Sequence, residues 1–370
     1  MFPEPERIAV FRALQLGDLL VAVPALRALR YAFPAARITL VGLPWARSFV
    51  ARFDHLLDGF IEFPGWPGLP EVAVDVRRLP RFLECVQGES FDLALQLHGS
   101  GSIVNELVTL FGARSTAGFY EPGGYRPNGE LFTPWPGTGN EIERCLELTN
   151  HLRLATRGTE LEFPIREADE GEFALLAAKF TLPEAGYVCV HPGSRLPSRR
   201  WVPERFAQIA DRLASTGYRV VLTGSADDRA ATGEVSRTLR SEAIDLTGET
   251  SLGALGALLS RARLLVCNDT GVSHVAAALR VPSVVICSGA DAVRWAPLDR
   301  SLHHVLFHPI ACRPCGHEIC PVGHPCATAV DVESVWREIE RMLAPSALPS
   351  TIAIAQASPP RMDPASETSS

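Results

Sequence analysis

The amino-acid sequence predicts an α/β protein built of two doubly wound halves, and three observations carry that prediction. Short apolar runs alternate with helical patterns twice over, once on either side of a polar stretch near the middle of the chain, as βα units of a parallel sheet do. Two turns of one kind, Leu16-Gly17-Asp18 near the amino end and Asp269-Thr270-Gly271 in the last third, each stand between an apolar strand and a helical run. The 370 residues are also long for one hydrophobic core and comfortable for two.

The first half reads as strand 8–11, helix 19–31, strand 38–41, strand 91–97 and helix 103–111. Pro24 lies inside the first helical run and has no amide hydrogen to give, so that helix is expected to kink there or to begin near Val21. Residues 119–139 are rich in Gly, Pro, Tyr and Trp and read as one long loop over the amino-terminal half-site. Helix 141–155 and the polar stretch 157–178 read as the connection between halves. The second alternation runs through strand 187–190, helix 204–214, strand 219–222, helix 227–239, strand 243–246, helix 252–260, strand 264–267, helix 272–279 and strand 283–287. The expected units are therefore 1–165 and 166–344, followed by a Ser-, Pro- and Ala-rich tail, 345–370, without periodicity and expected to be disordered.

Hydrophobic residues at 46% and charged residues at 21% are ordinary for a globular protein. A net charge of -7 sets aside non-specific binding to nucleic acid, so any phosphate site must be local. No apolar run reaches the length of a membrane span, and Glu4 and Glu6 stand where a signal peptide carries positive charge, so a cytoplasmic protein is expected. Nine cysteines, four of them at 312, 315, 320 and 326, fit a reduced compartment and a metal site better than a disulfide framework.

The chemistry concentrates at strand ends. In the turn after strand 264–267, Thr270 and the following amides can donate to a diphosphate, Gly271 lets backbone approach closely, and Asp269 can hold sugar hydroxyls. His274 follows on the helix, as a contact or as a core residue. Val190-His191-Pro192-Gly193-Ser194 leads into Arg195, Arg199 and Arg200, three arginines in six residues, a compact anion pocket in an acidic protein. Asp227 and Asp228 follow another strand and either accept from a ribose diol or cap the next helix. Asp18 sits at the mouth of the first helix, as a cap, a base or both. Cys312, Cys315, Cys320 and Cys326 could make a closed tetrahedral site for zinc or another soft-ligand metal, with His317 and His324 as substitutes, and such a site would be structural. Gly99-Ser100-Gly101 begins a dinucleotide fingerprint, but Val104 replaces its third small residue and no carboxylate follows at a strand end.

Taken together, these segments resemble glycosyltransferase family 9, which includes the ADP-heptose:lipopolysaccharide heptosyltransferases. The resemblance runs from about residue 7 to residue 343. It is carried by LGDLLVAVPALRALRYAFPAARITLVG, FDLALQLHGS, VHPGSRLPSRRWVPERFAQIADRL and LTGETSLGALGALLSRARLLVCNDTGVSHVAAALRVPSVVICSGADAVRWAP. The CRPC and CPVGHPC segments are similar to a cysteine-rich end seen in many members. The resemblance implies a GT-B fold, two Rossmann-like domains facing a central cleft, the first for acceptor and the second for nucleotide sugar. It implies inverting transfer without a cofactor or catalytic metal, from a nucleotide-sugar donor such as ADP-heptose to a glycan or lipid-linked acceptor at the inner face of a membrane. Residue by residue, it makes Asp18 the general base and Arg200, where members often carry Lys, the diphosphate ligand. It sets Asp269, Thr270, Gly271 and His274 around the donor; the reading of the strand-end turns adds Ser194, Asp227 and Asp228 beside them and puts Gly17 and His98 on the acceptor side. The four cysteines would carry a structural zinc or iron. The alternatives are a UDP- or GDP-sugar transferase of the same fold and a non-catalytic, metal-stapled binding module. An epimerase or dehydrogenase would need an intact glycine fingerprint and a Tyr-x-x-x-Lys pair, and the sequence has neither.

Overall fold

The computed structural model describes residues 4–184 and 186–344, so the expected tail lies outside the described residues. Its strands are β1 (Arg7–Phe11), β2 (Arg37–Gly42), β3 (Gly59–Glu62), β4 (Leu93–Gln96), β5 (Ser115–Tyr120) and β6 (Phe132–Pro134), then β7 (Tyr187–His191), β8 (Arg219–Leu222), β9 (Ala243–Asp245), β10 (Leu264–Asn268), β11 (Ser283–Ile286) and β12 (His303–Leu306). They form two six-stranded sheets, ordered β3-β2-β1-β4-β5-β6 and β12-β11-β10-β7-β8-β9. Every pairing is parallel. Each sheet counts outward from its own first strand in the Rossmann order, so each has a switch point, between β1 and β4 and between β7 and β10.

Strands at these centres are covered on both faces and must be apolar throughout. Ile8, Ala9, Val10 and Phe11 of β1 and Leu264, Leu265, Val266 and Cys267 of β10 are all fully buried. Register places Ile8 beside both Ile38 and Leu93, and Cys267 beside His191 and Val285.

The helix Leu16–Ala32 is continuous through Pro24 and begins five residues before Val21, so it does not start late. It starts with a capping box in which Gln15 is the cap and Asp18 the third helical residue. Asp18 is thus not the cap itself. The helix Gly271–Ala278 packs against it, and one hydrophobic core continues from Val10 through Leu20 and Val23 to Val272, Val275 and Cys267.

Two segments differ from their expected form. Residues 119–139 contain the end of β5 and the edge strand β6, because Phe132 and Thr133 are buried against β5 and Trp135 meets Phe119 edge-on at 5.0 Å. Within 157–178 the helix Glu167–Phe180 forms, packing on the helix Leu252–Leu259, so the second layer starts before its first strand. Asp169 on that helix reaches back to Arg52, with Oδ1 3.0 Å from a guanidinium nitrogen. That guanidinium holds the Asp169 carboxyl below its ordinary range. β3, the helix Leu79–Gly88, β12 and the helix Val332–Leu343 are additional to the sequence reading.

Trp201 ties the loop after β7 to the second core. It is 1% exposed, its Nε1 donates to the Val330 carbonyl at 2.9 Å and its ring meets Phe206 edge-on at 5.1 Å. Trp201→Ala is expected to destabilise the protein by about 3–5 kcal/mol in urea unfolding, the range for deleting a buried large aromatic.

Candidate functional site

The two strand–turn–helix units meet head to head. A Cβ on Gly17 would lie 2.8 Å from Cδ2 of His274 and 3.4 Å from Cα of Gly271, and a Cβ on Gly271 would lie 3.4 Å from the Gly17 amide nitrogen. Beside this contact opens a cleft of 250 Å³ whose walls include Asp18 from one side and Ser194, Arg195, Arg199, Asp269, Thr270 and His274 from the other. A second recess of 330 Å³ shares Gln15, Gly17, Arg195, Thr270 and Gly271 with it and extends to His191, Asp228, Thr250 and Leu255. Both lie at the carboxyl ends of the strands bordering the two switch points, where doubly wound sheets hold ligands. A larger cavity of 370 Å³, near Ala277, Arg280 and His303, holds none of the sequence-predicted residues.

Asp18 is held by its capping box, with Oδ2 accepting the Gln15 amide at 3.2 Å. Beneath it lies Arg12, whose Nε donates to the Asp18 carbonyl at 2.7 Å and whose guanidinium also reaches the Leu97 carbonyl and Glu141 Oε1, the latter at 3.2 Å. Burial raises the Asp18 pKa, Arg12 and Arg294 draw it down, and Glu141 pushes it up. The net position is above the ordinary carboxylate value.

On the opposite wall, Asn268 at the end of β10 is fully buried and fastens the arginine loop. Its Nδ2 donates to the Pro192 carbonyl at 2.7 Å and its Oδ1 accepts the Trp201 amide at 2.8 Å. Arg200 turns its Nε to the Ser194 carbonyl at 2.9 Å and so braces the loop, while Arg195 and Arg199 face the cleft. Arg199 donates one nitrogen to the Cys315 carbonyl at 2.9 Å, and its buried Nε has no hydrogen-bond partner among the described residues. That leaves an orphan cationic donor beside a helix N-terminus, which is what an anion fills.

Burial pushes Asp269 up to about 6, partly offset by the Cys287 thiol 3.5 Å away and by Arg199 and Arg313, while Asp18 across the cleft raises it further. Burial, helped by repulsion from His303, lowers His274 to about 4. The ring is therefore neutral at pH 7, its Nδ1 lacks a partner among the described residues, and it packs T-shaped on the Trp295 ring with centroids 6.4 Å apart. Asp228 closes a capping box, with Oδ2 accepting from the Ser225 amide at 2.9 Å and hydroxyl at 2.7 Å. It also presses on Gly193, where a Cβ would lie 2.3 Å from the carboxylate. Asp227 is exposed and lines neither recess.

His98, at the end of β4, is buried with Nδ1 accepting the Ala13 amide at 3.1 Å. That fixes the proton on Nε2, which stands 3.4 Å from Glu71. Burial alone would raise Glu71, but His98 and Arg195 hold it below its ordinary value, so Glu71 brings a carboxylate from the first half toward the arginine loop. Gly101 has φ +87° and a Cβ there would strike the Phe119 carbonyl at 2.3 Å. The incomplete glycine fingerprint is thus a tight turn outside both recesses.

The cysteine segment packs behind the arginine loop. The Cys315 amide donates to the Gly289 carbonyl at 2.9 Å, the Ser198 amide to the Glu318 carbonyl at 3.0 Å, and His324 Nε2 meets the Ser198 carbonyl at 2.8 Å. Cys320 accepts the His324 amide at 3.2 Å and Cys326 is buried. Among the described residues no three His, Cys, Asp or Glu side chains converge closely enough to hold a metal ion.

Four residues of this neighbourhood escaped the sequence reading: Arg12, Glu71, Glu141 and Arg294. The available signal was Arg12, a cation directly after the apolar run of β1, where a fully buried position demands a partner.

A family model described as glycosyltransferase family 9 (heptosyltransferase) matches residues 81–325. The lipopolysaccharide heptosyltransferase 2 of Salmonella typhimurium is 28% identical over 315 residues, covering 79% of this chain and 86% of that protein. Among solved structures, a glycosyl transferase family 9 protein from Veillonella parvula has a TM-score of 0.76 at 22% identity, over 91% of this chain and 97% of that one. The E. coli ADP-heptose lipopolysaccharide heptosyltransferase II has a TM-score of 0.70 at 22% identity, over 91% and 98% of the respective chains.

Gly17→Ala is expected to push the two helix ends apart. The measurable outcome is an unchanged far-UV circular dichroism spectrum with a loss of about 1–3 kcal/mol of stability, the usual cost of forcing a methyl into a filled contact.

Proposed function

The chain belongs to glycosyltransferase family 9, the heptosyltransferase family, and from that premise we propose that it transfers a heptose from ADP-heptose to a hydroxyl of a lipopolysaccharide-type acceptor, with inversion and with Asp18 as general base. One observation carries this reading. Asp18 and the Asp269-Thr270-Gly271 turn face each other in a single cleft, with Arg195 and Arg199 at its side.

In this mechanism the acceptor hydroxyl attacks the anomeric carbon from the face opposite the diphosphate. A new C–O bond forms, the bond to the diphosphate oxygen breaks with its electron pair, and the hydroxyl proton passes to Asp18. Because the hydroxyl acidifies only as the bond forms, the proton moves late, and a carboxylate of raised proton affinity is the better acceptor. The leaving diphosphate develops negative charge, which Arg195, Arg199 and the amides opening the helix Gly271–Ala278 can stabilise. Arg200 and Asn268 hold that loop in place. The recess bounded by His191, Thr250 and Leu255 is assigned to the nucleoside, and the Glu71–His98 side to the acceptor. ADP-heptose as donor and lipopolysaccharide as acceptor come from the E. coli and Salmonella relatives. None of the described helices is long and apolar enough to cross a membrane, and we place the enzyme at the inner membrane face as a peripheral protein. A structural zinc or iron on Cys312, Cys315, Cys320 and Cys326, which would require the four thiolates to draw together on binding, is a separate part of the proposal and has no role in the transfer step.

Heptose transfer to a heptose-deficient lipopolysaccharide tests the reading. Asp18→Asn should lower kcat about 10²- to 10⁴-fold, the usual contribution of a general base, while ADP affinity is kept. Arg199→Ala should weaken ADP binding about 10- to 100-fold in calorimetry, as expected for losing a charge-assisted contact. Selective binding of UDP or GDP would replace the donor, and an unaffected Asp18→Asn enzyme would overturn the base.

The pH profile has a defined sign. The base must be ionised, and its pKa is raised, so kcat/KM should fall as pH drops through a value above the ordinary Asp pKa of about 4. A limb at or below that value contradicts the assignment. Elemental analysis of protein purified under reducing conditions decides the metal: one zinc or iron per chain, lost in Cys312→Ser, supports it, and no metal removes it.

A further inference from the structure

The strongest feature that the transfer mechanism leaves unused is a buried charge network behind Asp18. Glu141 opens the helix Glu141–His151, which packs on the helix Leu16–Ala32, and is only 2% exposed, as is Arg12. Its Oε1 faces the Arg12 guanidinium at 3.2 Å, and its Oε2 faces Arg294 Nε at 2.8 Å and Arg144 at 3.4 Å. Arg12 is fixed in turn to the Asp18 carbonyl at 2.7 Å. Arg294 belongs to the other half, on the short helix Ala292–Trp295 that follows β11, and its guanidinium lies 4.6 Å from the centre of the Trp295 ring at the cleft wall. The neighbouring Asn140 fastens the same junction, its Nδ2 donating to the Ala296 carbonyl at 2.8 Å.

We propose that Glu141 is a positioning residue whose carboxylate bridges Arg12 of the first half to Arg294 of the second and thereby sets the charge around Asp18 according to how the two halves are docked. The proposal rests on the reading of Asp18 as general base. Burying a carboxylate among three guanidinium groups carries a desolvation penalty of several kcal/mol per ion, and apolar packing of equal volume often holds an interface as well or better. Docking alone therefore does not call for these charges, whereas their placement next to Asp18 gives them an electrostatic task. Against burial, Arg12 and Arg294 hold Glu141 below its ordinary value, so it is ionised wherever the protein is folded near neutral pH.

The groups whose charge acts on Asp18 are Arg12 and Glu141 behind it and Arg294 from the second half; Asp269, Arg195, Arg199 and His274 line the same cleft, and burial pushes the nearby Cys145 thiol up to about 12 and keeps it uncharged. Their signs make the bridge separable from a structural tie. Glu141 raises the proton affinity of Asp18, and Arg294 lowers it. If the halves part, Arg294 leaves both Glu141 and Asp18, and the base changes its strength together with the geometry.

The experiment is the pH dependence of kcat/KM for heptose transfer by the full chain carrying Glu141→Gln, Glu141→Asp or Arg294→Gln, with ADP affinity and circular dichroism as checks of the fold. Glu141→Gln should move the acid limb to lower pH by about half a unit to one unit, and Arg294→Gln should move it to higher pH by a similar amount, the scale of one nearby charge. Glu141→Asp keeps the charge and should leave the limb near that of the unaltered enzyme. Should Glu141→Gln fail to fold, the upward shift in Arg294→Gln decides alone. Losses of activity with unmoved limbs, or limbs moving the same way, would reduce Glu141 to a structural tie and overturn the inference. Asp18→Asn keeps the two readings apart: if it stays active, the base assignment fails, whereas if it is inactive and the limbs do not diverge, only the bridge fails.

Discussion

The site depends on one steric constraint, the contact of two helix beginnings across the interface. Gly17 and Gly271 are close enough that a methyl on the first would collide with His274. Because neither carries a side chain, the helices Leu16–Ala32 and Gly271–Ala278 pack end by end, and the apolar core passes between the two sheets without interruption. The rest follows geometrically. Each helix starts at the switch point of its own sheet, so bringing the helix ends together brings two ligand-holding crevices into one groove.

This closeness has an electrostatic consequence. Two positive helix ends and the guanidinium groups of Arg195 and Arg199 gather around the cleft, and the carboxylates Asp18 and Asp269 face each other across it. Each carboxylate is raised by burial, and Asp269 is raised further by Asp18. Arg199 and His274, both of which line this cleft, each keep a buried ring or guanidinium nitrogen without a partner among the described residues, Nε in the first and Nδ1 in the second. In the proposed function this space takes a ligand with negative charge and hydroxyl groups, a nucleotide sugar.

The sequence showed the central strands well and the outer strands and the interface poorly, for a physical reason. Strands buried on both faces, such as β1 and β10, are continuous apolar runs, and helix amphipathicity is local, so both stand out in a short window. The turn residues Gly17, Asp18, Asp269, Thr270 and Gly271 were legible because turn chemistry is local too, and the structure brings all five to one place. The arginine loop was legible as a cluster, but not which arginine faces the cleft: Arg200 bonds the Ser194 carbonyl and Arg199 the Cys315 carbonyl, and that division depends on a segment more than a hundred residues away. The edge strand β6 was hidden by its Gly- and Pro-rich surroundings and is specified by pairing with β5, a tertiary fact. Glu141 was hidden more thoroughly. At the start of a helix an acidic residue satisfies the helix dipole and calls for no further explanation, so only the arrival of Arg12 and Arg294 from two other segments gives it another role.

Arg12, Glu141 and Arg294 also show why base and leaving-group stabilisation need not be tuned separately. In the proposed function Arg199, fixed to the Cys315 carbonyl by one edge, keeps the other for the diphosphate. Beneath the proposed base, Arg12 is paired with Glu141; burial raises the Asp18 proton affinity, Arg12 lowers it, and Glu141 opposes that lowering. In the proposed mechanism positive charge is thus kept available where negative charge develops and is offset where a proton is taken up. In the proposed transfer these two displacements occur in one step and in opposite directions along the cleft. An interface that holds Asp18, Glu141 and Arg294 in register therefore couples them by position alone.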